Sequence, residues 1–208
     1  MSDSTVLWLL RHPEPEASVR GRCYGTLDIG LSPAGLRDAE EMAAELAKEP
    51  FAAVYTSPRT RCTDPAGRIA AKCGCPLEEL DGLRELDFGE FEGRTYDEIA
   101  ALYPGVYAQW MERPTEVEFP GGESFARMRT RVLDTCRELR RCHPGQSILC
   151  VTHAGVIRTL VADVLGIPAV NMFRLAQDYC GLSIVRYSGE LASLELLNGR
   201  FRPGKSLA

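Results

Sequence analysis

The chain has 208 residues, of which 45% are hydrophobic and 25% are charged, and its formal net charge is −5 at pH 7. This length predicts one domain, over residues 1–208, that can bury a full core. The acidic balance argues against a nucleic-acid-binding protein. No apolar run approaches the roughly 18 residues that a membrane span needs, and TVLWLL near the start lacks the basic flank of a targeting segment. We therefore expect a cytoplasmic protein that binds neither nucleic acid nor a membrane.

Eight cysteines are spread along the chain without a repeated pair spacing. In a reducing compartment such thiols stay reduced, so we expect no disulfide framework. Cys73 and Cys75 form the only close pair, which is half of a metal knuckle without a second half. The cysteines therefore predict no metal site.

The first elements alternate between strand and helix. Thr5–Leu10 is a continuous apolar run, typical of a strand buried on both faces. After a turn-rich loop, Ser32-Pro33 supplies a helix cap and a first-turn proline, and apolar residues then recur at helical spacing. Ala52–Thr56 predicts a second strand. Asp64-Pro65 predicts the start of a helix that runs to about Lys72.

The middle of the chain, about residues 94–123, predicts a small helical and loop insertion. Thr95 and Glu98 have the spacing of a capping box for a short helix that ends near Tyr103. More helical sequence surrounds Trp110, and a proline-rich loop follows.

The last third returns to strand and helix. Ser124 begins a long amphipathic helix that ends at His143-Pro144-Gly145. Ser147–Val151 predicts a strand, and Gly155–Leu165 predicts a helix. Two β-rich stretches, 182–187 and 191–197, precede a polar tail over 198–208.

The order of these elements predicts an α/β fold. Strands that alternate with helices form a three-layer sandwich, with helices on both faces of a mostly parallel central sheet.

Two of the three histidines follow predicted core strands by one residue. His12 comes after VLWLL and Arg11, and His153 comes after SILCV and Thr152. In open α/β sheets, ligands bind at this carboxyl edge of the strands. An anion beside His153 would also meet the backbone N–H groups of the helix that begins near Ala154. His143 differs, because its place at a helix end predicts that it caps the last carbonyls.

A pair of histidines flanked by arginines suits phosphoryl transfer. Imidazole can attack phosphorus in line, and guanidinium groups match the geometry of phosphoryl oxygens. Arg11 precedes His12, and TSPRTR over 56–61 places further cations after the second strand. Glu85, after a further possible strand segment, is a candidate proton donor.

Four motifs then carry a family resemblance: LRHPEP, TSPRTRC, LRELDFGEFEG and VTHAGVIR. With them the chain resembles the histidine phosphatase superfamily, in the branch that includes the cofactor-dependent phosphoglycerate mutases. The resemblance implies that His12 becomes phosphohistidine and that Glu85 protonates the leaving oxygen and then activates water. It implies that the phosphoryl group is bound by Arg11, Arg61 and His153.

The resemblance also implies a small phosphorylated metabolite as the partner and no cofactor. Substrate contacts are expected from the loop residues Ser18, Tyr24 and Gly25 and from Ala154 at the start of a helix. A homodimer stays open, because nothing in the sequence decides the oligomeric state.

Three positions depart from the family pattern. Pro13 replaces the usual glycine after the first histidine, Ser18 replaces the asparagine of the mutases, and Pro65 replaces a threonine. RHPEP followed by GRCYGTLD resembles the α-ribazole phosphatases, which act late in cobalamin nucleotide-loop assembly. We therefore expect a phosphomonoester hydrolase, with α-ribazole 5′-phosphate as the candidate substrate.

Four other readings remain open at this point. Cys62 and Cys180 each begin a C-x5-R pattern, which is the pattern of a cysteine phosphatase. His12 and His153 with nearby carboxylates could hold a metal ion. A phosphoglycerate mutase-type transferase and a noncatalytic phosphate-binding regulator are the other two. For the phosphatase itself, we expect opposite environments for the imidazoles, with His12 neutral and His153 cationic.

Overall fold

A computed structural model describes residues 4–200 of the chain. Its centre is a six-stranded sheet in the order β3-β2-β4-β1-β5-β6. The strands are β1 Thr5–Arg11, β2 Phe51–Thr56, β3 Leu77–Glu79, β4 Ser147–Thr152, β5 Leu182–Ser188 and β6 Leu191–Gly199.

The sheet is mostly parallel, as the order of elements predicts. β1 pairs in parallel with β4, β4 with β2, and β2 with β3. β5 runs antiparallel to β1, and the final hairpin adds β6. The short edge strand β3 lies before Glu85, where the sequence suggests a further strand segment, and its three residues are exposed.

The α-helices are α1 Pro33–Leu46, α2 Thr60–Cys73, α3 Tyr96–Leu102, α4 Pro104–Glu112, α5 Phe125–Cys142 and α6 Ala154–Val164. Of these, α1, α2, α5 and α6 cover the two faces of the sheet. Residues of α1 and α2 pack with one face of the sheet in one apolar cluster, and residues of α5 and α6 pack with the other face in a second. Burial of apolar surface on both faces is the main stabilising term for such a sandwich. The α/β fold class is therefore confirmed.

The start of α2 differs from the prediction. The helix begins at Thr60, and Pro65 lies inside it. Asp28, in the loop after β1, accepts hydrogen bonds from the Thr60 N–H at 2.7 Å and from its hydroxyl at 2.9 Å. This cap from a distant loop lets the helix begin earlier, and it places Arg61 in the first turn.

The segment over 94–123 has a small core of its own. Thr95 and Glu98 form the expected capping box. The buried residues of this third apolar cluster come from the insertion and from two loops, and they are Cys23, Phe91, Ile99, Val117 and Phe119. The insertion is thereby packed beside the loop that follows β1.

The structure defines the ends of β6 and α5 more closely than the sequence does. β6 continues to Gly199, so the strand includes the first residues assigned to the polar tail, and positions 201–208 lie outside the described residues. His143 follows α5 as its cap, and its backbone N–H donates to the Leu139 carbonyl at 3.1 Å, whereas its ring contacts the Tyr55 hydroxyl and the Gln146 side chain, each at 2.7 Å. All eight cysteines are free thiols. Within residues 4–200, no helix is long and apolar enough to cross a membrane.

Candidate active site

The two histidines of the site stand side by side because their strands are parallel neighbours. Arg11 at the end of β1 pairs in register with Thr152 at the end of β4, and the His12 N–H donates to the Thr152 carbonyl at 3.0 Å. The rings of His12 and His153 lie 5.3 Å apart, centre to centre, at 65°. Both side chains are buried, with 2% and 1% of their surface exposed.

The environment of His12 fixes its tautomer. Its Nδ1 lies 2.7 Å from the carbonyl oxygen of Pro13. A carbonyl can only accept a hydrogen bond, so Nδ1 carries the proton and Nε2 keeps its lone pair. His12 is therefore oriented as a nucleophile or base at Nε2.

His153 is held by two side chains from the segment after β2. Its Nε2 lies 2.8 Å from the hydroxyl oxygen of Ser57, and the thiol of Cys62 lies 3.6 Å from the same nitrogen. Sequence analysis does not find this use of Ser57, although the residue lies in the TSPRTRC motif.

Both imidazoles are uncharged at neutral pH. Burial lowers the pKa of His12 well below its usual value, and the charges of Arg61 and Arg11 lower it further. Burial lowers the pKa of His153 in the same direction, again with Arg61 as the next cause. The two rings thus share the direction of their pKa shift, because one pair of arginines acts on both, and a cationic His153 beside a phosphoryl group stays a prediction.

Arg61 is fully buried and is tied to the loop after β1. Its Nη1 donates to the Leu27 carbonyl at 2.7 Å, and its Nη2 donates to the Gly25 carbonyl at 2.6 Å. The Glu92 carboxylate holds this loop by accepting the N–H groups of Gly25, Thr26 and Leu27. Glu92 therefore supports Arg61 through the loop.

Arg11 is held on the other side of His12. Its Nη1 donates to the Gln177 carbonyl at 2.6 Å, and its guanidinium lies 4.1 Å from the centre of the Tyr179 ring. The Nε atoms of Arg11 and Arg61 are both buried without a hydrogen-bond partner among the described residues. A buried N–H without a partner is costly unless an anionic ligand accepts from it.

Glu85 approaches the site from a loop. It follows the edge strand β3, from which a 3-10 turn at Asp81–Leu83 separates it. Its carboxylate accepts the Gly155 N–H at 3.1 Å, in the first turn of α6. A Cβ at Gly155 would lie 2.3 Å from this carboxylate, so any larger residue there would displace the Glu85 side chain. Arg131 anchors the same loop by donating to the Glu85 backbone carbonyl at 2.9 Å.

The site opens into a cavity of about 180 Å³. All five residues given catalytic roles by the resemblance line it together with Tyr24, and so do four residues that sequence analysis did not single out: Arg22, Cys23, Phe88 and Tyr96. Arg22 and Cys23 lie in the segment GRCYGTLD and Phe88 lies in LRELDFGEFEG, whereas Tyr96 belongs to the insertion.

The other predicted substrate contacts are placed as follows. Ser18 lies exposed in a short turn and is not among the cavity-lining residues. The Gly25 N–H is taken by Glu92, and Gly25 contributes its carbonyl to Arg61. Ala154 begins α6 beside His153. Their contacts with substrate stay predictions.

Neither cysteine pattern provides a reactive thiolate. Burial raises the pKa of the Cys62 thiol to about 12, and that of Cys180 also to about 12. A cysteine phosphatase needs a lowered thiol pKa, so this alternative is contradicted. Among residues 4–200, no group of three or more His, Cys, Asp and Glu side chains could hold a metal ion.

Comparison with known proteins agrees with this geometry. Residues 7–200 match the family model of the histidine phosphatase superfamily, branch 1. The chain belongs to this superfamily. The resemblance carried by the four motifs is confirmed, and the match covers nearly the whole of this histidine phosphatase.

Several relatives of this histidine phosphatase are named as phosphatases. Phosphoserine phosphatase 1 of Hydrogenobacter thermophilus is 32% identical over 86% of this chain and 85% of its own length. The adenosylcobalamin/α-ribazole phosphatase of Escherichia coli is 27% identical over 93% of this chain and 96% of its own. The crystal structure of the α-ribazole phosphatase from Shigella flexneri superposes with a TM-score of 0.86 at 28% identity, over 94% and 96% of the two chains.

Proposed function

We propose that this histidine phosphatase hydrolyses phosphate monoesters through a phosphohistidine at His12, without a metal ion. The observation that carries the proposal is the hydrogen bond from His12 Nδ1 to the Pro13 carbonyl. It leaves the Nε2 lone pair available at neutral pH, next to two arginines, Arg11 and Arg61, whose Nε atoms are buried and have no hydrogen-bond partner among the described residues.

The arginines supply the charge that binds the phosphoryl group. Arg11 and Arg61 lie on either side of the histidines, and their guanidinium edges can donate to equatorial phosphoryl oxygens. We infer that a ring N–H of His153, beside His12, donates one further hydrogen bond to the phosphoryl group. Its pKa is lowered by the same arginines, so a bound phosphoryl dianion is the counter-charge that would raise it.

Two in-line steps complete the reaction. In the first, His12 Nε2 attacks phosphorus, the bond to the ester oxygen breaks, and Glu85 gives its proton to the leaving oxygen. In the second, Glu85 takes a proton from water, the water oxygen attacks phosphorus, and the bond to Nε2 breaks. Inorganic phosphate leaves and His12 returns to its initial tautomer.

Trapping the intermediate tests this mechanism. Wild-type enzyme quenched during turnover of a labelled phosphomonoester should carry acid-labile, alkali-stable phosphate on one histidine. His12→Asn, which keeps a donor toward the Pro13 carbonyl, should carry none and should lose turnover. Labelling of His12→Asn at the wild-type level would refute the role of His12.

For the substrate, α-ribazole 5′-phosphate is the first candidate. Support comes from RHPEP and GRCYGTLD in the sequence and from the α-ribazole phosphatases among the relatives. The cavity also suits a flat leaving group, because Tyr24, Phe88 and Tyr96 present aromatic rings along its wall.

Phosphoserine is the second candidate, because phosphoserine phosphatase 1 is a relative of higher sequence identity. Values of kcat/KM for both compounds, 3-phosphoglycerate, nucleotides and sugar phosphates separate the candidates. A preference for α-ribazole 5′-phosphate by orders of magnitude would support the first, and a flat profile would refute it.

A further inference from the structure

Tyr179 contacts two residues of the active site, although it does not line the active-site cavity and its side chain is partly exposed. It belongs to the segment that precedes β5, and no motif of the sequence includes it. Its ring centre lies 4.1 Å from the Arg11 guanidinium and 5.6 Å from the centre of the His12 ring. Gln177, two residues earlier, accepts the hydrogen bond from Arg11 Nη1. One short segment therefore holds Arg11 by a carbonyl at its edge and by an aromatic ring on its face.

Tyr24 stands in a similar relation to the other arginine. The Arg61 guanidinium lies 5.3 Å from the centre of the Tyr24 ring. The hydroxyl oxygens of Tyr24 and Tyr179 lie 3.1 Å apart, at hydrogen-bond distance. The two tyrosines thus form a continuous connection between Arg11 and Arg61, across 155 residues of sequence.

The contacts with the two tyrosine rings use none of the guanidinium N–H donors. A ring that stacks on the face of a guanidinium restricts its rotation but takes none of its N–H donors. Each arginine keeps a buried Nε without a partner among the described residues. Restricting both groups before the ligand arrives reduces the entropy that is lost on binding.

We propose that Tyr179 is a positioning residue that fixes Arg11 by stacking and couples it to Arg61 through the hydroxyl contact with Tyr24. The inference rests on the proposed phosphoryl site, and it adds that the two arginines act as one preorganised unit. Tyr179 itself touches neither the phosphoryl group nor the leaving group.

Binding of inorganic phosphate, measured by calorimetry, tests the stacking. Tyr179→Ala should raise the Kd of phosphate and the KM of a phosphomonoester by about 3- to 30-fold, with a smaller change in kcat. Tyr179→Phe restores the ring and should recover the part of this loss that comes from stacking. A role in folding alone would lower the urea midpoint and leave these constants unchanged.

The hydroxyl contact is tested by a double-mutant cycle. Tyr24→Phe and Tyr179→Phe should each raise the Kd of phosphate slightly, by about 2- to 5-fold, and the double variant should be no weaker than either single variant. Additive losses would overturn the coupling between the arginines. This arm holds even if Tyr179→Ala does not fold.

Arg140→Ala is the matched control. The Arg140 guanidinium lies 4.0 Å from the ring of Tyr187, whose strand position pairs with Thr5 at the opposite end of β1 from Arg11. Removing this contact should leave phosphate binding unchanged. If folded Tyr179→Ala bound phosphate as the wild type does, the inference would fail while the trapped phosphohistidine still stood. If the wild type formed no phosphohistidine, the proposed function would fail instead.

Discussion

Acidification should destabilise this protein through its two active-site histidines. Burial and the arginine charges lower the pKa of His12 and His153 below 6.5 in the folded state. The unfolded chain therefore takes up protons first as the pH falls through 6.5, and the free energy of unfolding falls with it. Above that pH both states hold neutral rings, so these two groups then add no pH dependence.

The slope follows from the number of protons. Each histidine contributes about 1.4 kcal/mol per pH unit between its unfolded and folded pKa values, so the pair contributes about 2.7 kcal/mol per unit. That is a large part of the total stability of an ordinary domain, about 5–15 kcal/mol. The effect should therefore be visible well before the carboxylates titrate.

Urea unfolding from about pH 7.5 to about pH 5 measures this slope. The comparison is with His12→Asn and His153→Gln, alone and together, because Asn mimics the Nδ1 donor of His12 and Gln mimics Nε2 of His153. Each single variant should lose up to about half of the slope contributed by the pair. A difference between the wild type and the double variant that did not change with pH would refute the assignment of lowered pKa values.

Four further results are expected. Glu85→Gln should slow alkyl phosphates by about 100-fold or more and nitrophenyl phosphate far less; equal losses would remove Glu85 from the role of general acid. Gly155→Ala should push the Glu85 carboxylate from its place, because the new Cβ would lie 2.3 Å from it, and kcat should fall at least about tenfold. Gly67→Ala is its control in α2, where nothing lies within 4 Å of the new Cβ, and it should keep full activity and gain about 0.5–1 kcal/mol of stability. Thr95→Ala breaks the capping box and should lower the free energy of unfolding in urea by about 1 kcal/mol; an unchanged value would show that the box does not stabilise the insertion. Activity should survive a chelator, and its loss there would contradict a metal-independent mechanism.

The chemistry of the site can be anticipated from sequence because it is concentrated at strand ends. An apolar run that stops at Arg11-His12, and another that stops at Thr152-His153, identify the edge of the sheet where ligands bind. Arg61 and Glu85 are found through the motifs that surround them. These site residues can therefore be identified from local sequence.

Long-range contacts explain what the sequence could not predict. Asp28 caps α2 from a position 32 residues away. The local sequence does not contain this cap, and it therefore predicts a helix start at Asp64-Pro65. Two other contacts also join distant segments: Tyr24 pairs with Tyr179, and Glu92 supports the loop that holds Arg61. The sequence around each residue does not identify its partner. The shared pKa direction of the two histidines also depends on this packing, because burial is its largest cause.

Catalysis depends on the register in which β1 pairs with β4. His12 faces His153 only because Arg11 pairs with Thr152. A slip of one residue would move His12 by about 3.3 Å along the sheet and turn its side chain to the opposite face. A variant that repacks the core and keeps its secondary structure could therefore look native by circular dichroism and still be inactive. For this fold, turnover therefore tests the register of the central strands more directly than circular dichroism does.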